Sequence, residues 1–118
     1  MQSGAELKTI LALAGSKRLL HLEEEIFANN ELTSLYLNNL CNGDIKPVPG
    51  RDNAYLAYFY AITTIKCRWL EAEHIIAADP ESAYWYALTF QYRWPNEKKV
   101  FANNSYYWQV YCIRFNLD

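Results

Sequence analysis

Two histidines, three cysteines and thirteen carboxylates are the residues of this chain that could do chemistry. Glu71 and His74 stand three apart, which puts both side chains on one helix face. Di-iron bundles use two such Glu-x-x-His motifs together with two further glutamates. The only other histidine, His21, has Glu24 and Glu25 after it, in the reverse order. That is half of a ligand set, so both stretches are read as solvated helix faces. Cys67 lies seven residues before His74. A nucleophilic thiol needs an adjacent base oriented by a third group, and a predicted helix break separates these two. The four glycines form no phosphate-cradling pattern. The reading assigns no catalytic residue, no metal and no cofactor, and it expects a protein that is not an enzyme.

Composition narrows the function classes further. A chain of 118 residues suits one domain, and its 52% hydrophobic and 20% charged residues are globular in character. Net charge is −2. Residues 1–50 carry four basic and six acidic groups, and residues 51–118 carry seven of each. No basic stripe marks a nucleic-acid partner. Cys41, Cys67 and Cys112 are odd in number and widely spaced, which argues against a disulfide framework or a zinc site. All three sit in apolar contexts and are read as core thiols. Residues 1–15 contain Glu6 and Lys8 and lack the pattern of a signal peptide. No apolar run reaches the roughly 18 residues needed to cross a bilayer, so the expected location is the cytoplasm, with no membrane contact.

Elements that could position these residues are helical. Ser3 and Glu6 form a capping box before Leu7, Ile10, Leu11 and Ala14, and Gly15 ends that helix. Ser16 is expected to cap a second helix with Leu19, Leu22, Ile26 and Phe27 on one side and Glu23, Glu24 and Glu25 on the other. Asn29 or Asn30 caps a third, which Asn42-Gly43 stops. Asp44 to Gly50, with Pro47 and Pro49, is a loop by composition. Asp52 caps a long helix to about Cys67, and a short helix spans Leu70 to Ala78. Asp79-Pro80 opens a helix to about Tyr92. Trp94-Pro95 starts another short one, and Asn104 caps the last, to about Phe115. The expectation is an all-α single domain, a compact array of six to seven helices. It comprises an N-terminal part (1–43), a Pro/Gly loop (44–51) and a C-terminal part (52–118).

A 25-residue period runs through the chain. Registered on Arg18, Arg68 and Arg93, it aligns Leu19, Trp69 and Trp94; Ile26, Ile76 and Phe101; the caps Asn29, Asp79 and Asn104; Tyr36, Tyr86 and Tyr111; and Leu40, Phe90 and Phe115. Each period reads as a short helix, a capped turn and a longer aromatic helix. One such hairpin cannot bury its own apolar face, so hairpins must stack. Arg68 and Arg93 are expected to serve structure. Each can bond the last carbonyls of the preceding helix, stack on Trp69 or Trp94, or, for Arg68, pair with Glu71 or Glu73. Tyr36, Tyr86 and Tyr111 are read as repeat core.

These stretches resemble a known pattern. Arg68-Trp69-Leu70-Glu71-Ala72-Glu73, then Asp79-Pro80-Glu81-Ser82-Ala83-Tyr84-Trp85-Tyr86-Ala87, then Arg93-Trp94-Pro95, are similar to a short helical repeat of uncharacterised bacterial and tailed-phage proteins. There an R-W-P-E-A-E stretch alternates with D-P-x-x-A-Y-x-Y-A. The likeness is good over Asp52 to Trp94 and weaker outside. In the third period Asn96 and Lys98 replace the two acidic positions. The resemblance implies a repeat scaffold and a phage or prophage origin, and no reaction.

The functional expectation is a protein that works by binding another protein. With the resemblance to phage proteins, one concrete form is an anti-CRISPR-like inhibitor docked on a bacterial defence complex. The alternative is a small-ligand or nucleotide binder with an aromatic pocket between helices. A surface is indicated by the last helix, which carries Tyr106, Tyr107, Trp108, Val110, Tyr111, Ile113 and Phe115. At 100° per residue these cover more arc than one inward face is expected to bury, so the helix either presents a surface or lies between two others as core. Tyr106, Tyr107 and Trp108, with Tyr84 and Trp85, are the candidate binding residues, for a partner protein or a second copy in a homodimer.

Overall fold

A computed structural model describes residues 4–41 and 52–117. Ser3 of the capping box, Asn42-Gly43 and the Pro/Gly loop lie outside the described residues. Among the described residues every regular element is helical: α1 (Gly4–Ala14), α2 (Glu23–Phe27), α3 (Asn30–Cys41), α4 (Asn53–Tyr60), α5 (Glu73–Ile76), α6 (Pro80–Phe90), α7 (Glu97–Val100) and α8 (Ser105–Arg114). That is eight α-helices against the six to seven expected, and α2, α5 and α7 are each little more than one turn. Tyr84-Trp85-Tyr86 and Tyr106-Tyr107-Trp108 have strand-like side chains yet lie in helices, since a cap precedes each run.

Side-chain caps set where the long helices begin. Asn29 accepts from the amide of Leu32 at 3.1 Å, Asp52 from Tyr55 at 3.1 Å, Asp79 from Ser82 at 3.2 Å and Asn104 from Tyr107 at 3.0 Å. Each satisfies one of the amides that a helix start leaves without an internal partner. Left-handed residues set where helices end. Gly15 lies at φ +59, and Lys66, Gln91 and Asn116 at φ +63, +52 and +56, the last three spaced 25 apart. After Gln91 and Asn116 the chain closes with a bond five residues back, Tyr92 to Ala87 at 2.9 Å and Leu117 to Cys112 at 2.8 Å. α4 runs on through a π-helical turn, Ala61–Ile65, before Lys66 stops it.

Three expectations need correcting here. Ser16 caps nothing: the next turn starts only at Leu20, because the amide of Leu19 is taken by the Tyr36 hydroxyl at 2.8 Å. Cys67 is exposed, carried outward by the left-handed turn at Lys66, and Cys112 is half-buried; only Cys41 is a core thiol. Glu23, placed on the polar side of its helix, is 1% exposed.

The core follows the aligned columns. Ile26, Ile76 and Phe101 are buried, as are Tyr36, Tyr86 and Tyr111, and Trp69 and Trp94. The body measures 48 × 29 × 24 Å, longer than it is broad. Among the described residues no helix is long and apolar enough to cross a membrane.

Candidate interaction site

The same polar knot occurs three times, at the start of each short helix. In the first, Arg18 Nε and Nη2 donate to Glu23 Oε2 and Oε1 at 3.0 and 2.8 Å. The Tyr36 hydroxyl donates to Glu23 Oε2 at 2.6 Å while accepting the Leu19 amide. In the second, Arg68 makes the same fork to Glu73 at 2.8 and 3.1 Å, and Tyr86 donates to Glu73 at 2.6 Å while accepting the Trp69 amide at 2.9 Å. In the third, Arg93 forks onto Glu97, with Nε at 3.1 Å. Tyr111 donates to Glu97 at 2.6 Å and accepts the Trp94 amide at 3.0 Å.

The chemistry explains the choice of residues. A planar guanidinium matches a carboxylate with two parallel bonds, which lysine cannot do. A phenol can donate and accept at once, so it ties the carboxylate to a backbone amide. Burial first, and then the neighbouring glutamate, push the tyrosine hydroxyls of Tyr36, Tyr86 and Tyr111 well above their usual range. At Arg93 the bond to Glu97 likewise holds the proton more firmly. Neither group exchanges protons near neutrality, so the knots hold junctions.

Sequence reading found the arginines and tyrosines but not all of the carboxylates. Arg68 chooses Glu73 rather than Glu71, and none of the arginines bonds a helix-end carbonyl. Glu97 was missed because Lys98 fills its aligned position. All three acids share a different signal: each is the first residue of its short helix. In the first two knots a 3₁₀ turn precedes that helix. In the third it is absent, so the acid comes one residue sooner.

Two tryptophans link neighbouring knots. Trp69 gives its amide to the second knot and its indole N–H to Glu23 Oε1 of the first at 2.9 Å. Its ring lies 5.2 Å from the Arg18 guanidinium and 5.3 Å from Phe27. Trp94 gives its amide to the third knot and its indole N–H to the Ala83 carbonyl of α6 at 2.9 Å, and its ring lies 5.5 Å from that of Tyr86 in the second knot.

The candidate binding residues separate. Tyr106 and Trp85 are 64% and 43% exposed, Tyr107 and Trp108 are half-buried, and Tyr84 is buried. Trp85 and Tyr107 both pack on Tyr84, at 5.1 and 5.5 Å between ring centroids, and Tyr106 packs on Tyr107 at 5.0 Å. These four rings form one connected run across α6 and α8. Trp108 faces elsewhere, 6.3 Å from Phe101 and 6.1 Å from Tyr111. Ile113, 73% exposed, also reaches solvent from α8.

His74 Nε2 lies 3.3 Å from the Phe27 carbonyl, which joins α5 to α2. Glu71 and His74 line a cleft of about 360 Å³ with Glu24 and Leu70. Among the described residues no three of His, Cys, Asp and Glu come together to hold a metal ion. Two other clefts, of about 510 and 560 Å³, flank α1. No Phe, Tyr or Trp lines any of the three.

No known family model matches the chain, and neither a curated protein nor a solved structure does.

Proposed function

We propose that the chain is an array of 25-residue helical hairpins that works by binding another protein. Three recurrences of one Arg–Glu–Tyr knot, the regular left-handed stops and the elongated body support the array. The connected rings Trp85, Tyr84, Tyr107 and Tyr106 support the binding role. Two of them are buried or half-buried and hold the other two rigid at the surface. Rigid exposed tyrosine and tryptophan supply contact area at little entropic cost, and such residues dominate protein interfaces. The three clefts described above have no aromatic wall, which among the described residues favours a surface over an aromatic pocket. A bacterial defence complex is the partner class that the resemblance to phage proteins suggests.

The test uses Tyr106→Glu, expected to melt within about 0.5 kcal/mol of the parent, and Trp85→Glu, expected to cost about 0.5–1.5 kcal/mol for its edge contact with Tyr84 yet still fold. A partner identified with the parent chain should lose binding to both variants. Binding that survives both substitutions would overturn the reading. Trp108→Glu is unsuited, because that ring packs on Phe101 and Tyr111 inside the fold.

A further inference from the structure

Each short helix starts at the glutamate of its knot, so the residues just past that glutamate are set alike in all three. They are Glu24 and Glu25 in α2, His74 and Ile75 in α5, and Lys98 and Lys99 in α7. None of the six is buried, and Glu24, His74, Lys98 and Lys99 are exposed. In the turns before α2 and α5, His21 and Glu71 are exposed as well. Trp69 joins the first knot to the second and Trp94 the second to the third, so the three helices follow one another along the body. Their outer side therefore changes in order from acidic through mixed to basic. Leu20 and Leu70, at matching places in the first two turns, are 66% and 60% exposed.

This outer side is the flank of the stack and not its end. Glu24 stays exposed although Leu70, Glu71 and His74 of the next hairpin share a cleft with it. His74 likewise stays exposed with a further hairpin after it. Lys98 occupies the place of Glu24 and His74, so its exposure does not depend on a missing neighbour.

We propose that this flank joins two copies of the chain, with the acidic α2 of one lying on the basic α7 of the other. A row that runs from negative to positive is its own complement once reversed. A two-fold axis along α5 performs that reversal and makes the two contacts identical. The same axis brings Leu70 against its own copy, so apolar surface that the single chain leaves wet is buried at the centre. A net charge of −2 adds little general repulsion between copies. The face uses other helices than the aromatic run of α6 and α8, and it goes beyond the binding role proposed above.

Sedimentation velocity of the full chain, from micromolar to near-millimolar concentration, tests the pairing. The parent should pass from monomer to dimer, and added salt should weaken the pair by screening exposed charges. Glu24→Lys and Lys98→Glu should each raise the dissociation constant about tenfold, because the two-fold axis turns two attractions into two repulsions. Mixed in equal amounts, the two variants should pair with each other at about the parent's strength, since one then offers lysine at both places and the other glutamate. A variant that failed to fold could not be rescued in that way. A parent that stays monomeric overturns the proposal, as does a mixture no tighter than its components. A dimer broken by Tyr106→Glu but not by Glu24→Lys also overturns it, by assigning the pair to the aromatic run. Glu24→Lys should keep the partner binding that Tyr106→Glu abolishes, so this inference and the broader reading fail separately.

Discussion

The first and third knots share their residue types and their bonds, yet differ in surroundings. Glu23 is 1% exposed and accepts four bonds: two from Arg18, one from Tyr36 and one from the Trp69 indole. The Glu97 side chain is 15% exposed and accepts three, from Arg93 and Tyr111. A buried carboxylate is tolerated only when its acceptor sites are filled, and its donors in turn depend on it. In the third knot water reaches the guanidinium and the carboxylate and can substitute for either, while Tyr111 stays buried. An identical motif is thus an anchor at one place and a weak tie at another, decided by what packs over it.

The sharpest test of that contrast is to remove each acid. Glu23→Ala strands a phenol and an indole N–H in the interior and leaves a partly exposed guanidinium without its partner, and should cost about 3 kcal/mol, the low end for breaking a buried pair. Glu97→Ala should cost clearly less. Urea midpoints of the two variants measure the difference, and equal shifts would break the comparison.

Raising the pH gives a smaller effect shared by all three knots. Tyr36, Tyr86 and Tyr111 have folded-state values raised above the usual tyrosine value of about 10, burial being the larger cause and the glutamate bond the next. A raised folded value means the contribution is complete below pH 10 and is lost as pH climbs toward the folded value. Burial pushes Cys41 up to about 11, which adds a loss that begins above its ordinary range near pH 9. The melting temperature should hold level from about pH 7 to 9 and fall steeply beyond 10. In acid the sign reverses for Glu97, held low by Arg93 and Tyr111: its contribution is present above its ordinary range and disappears as pH falls below it. A melting temperature that rises above pH 10 would contradict the phenol assignment.

Helix caps give the smallest effects. Asp79→Ala and Asn104→Ala should each cost about 1 kcal/mol, within roughly 0.5–2. Asp79 also accepts the Ser82 hydroxyl at 2.7 Å, so its loss should be the larger. Thermal melts compare the two, and parent-like curves for both would show that these side chains do not set the helix starts.

The helices, the caps Asn29, Asp52, Asp79 and Asn104 and the buried tyrosines were legible because each depends on residue type at a fixed local spacing. Glu23 was not legible: a run of three glutamates looks like one solvated face, and only Arg18 and Tyr36, brought in by the fold, single out the first. Glu97 was hidden by counting residues from the arginine when the physical marker is the first residue of the short helix. Tyr84 illustrates the limit for the candidate surface. It neighbours Trp85 in sequence, but one helical step turns one ring into the core and the other to solvent. Which aromatic faces outward depends on how α6 meets α8, and no local pattern carries that.

The indole bond between Trp69 and Glu23 spans 46 residues, and an order of assembly follows from it. In a chain emerging from the ribosome, Arg18 and Tyr36 reach Glu23 early, but the last donor and its cover are made much later. Until then the carboxylate should stay wet and the first knot incomplete. Once Trp69 arrives, the same residue closes the second knot through its amide. The first two knots are tied through this one residue and should form and open together, while the third should open first. Backbone amides of α7 and α8 should exchange with solvent before those of α3 and α6.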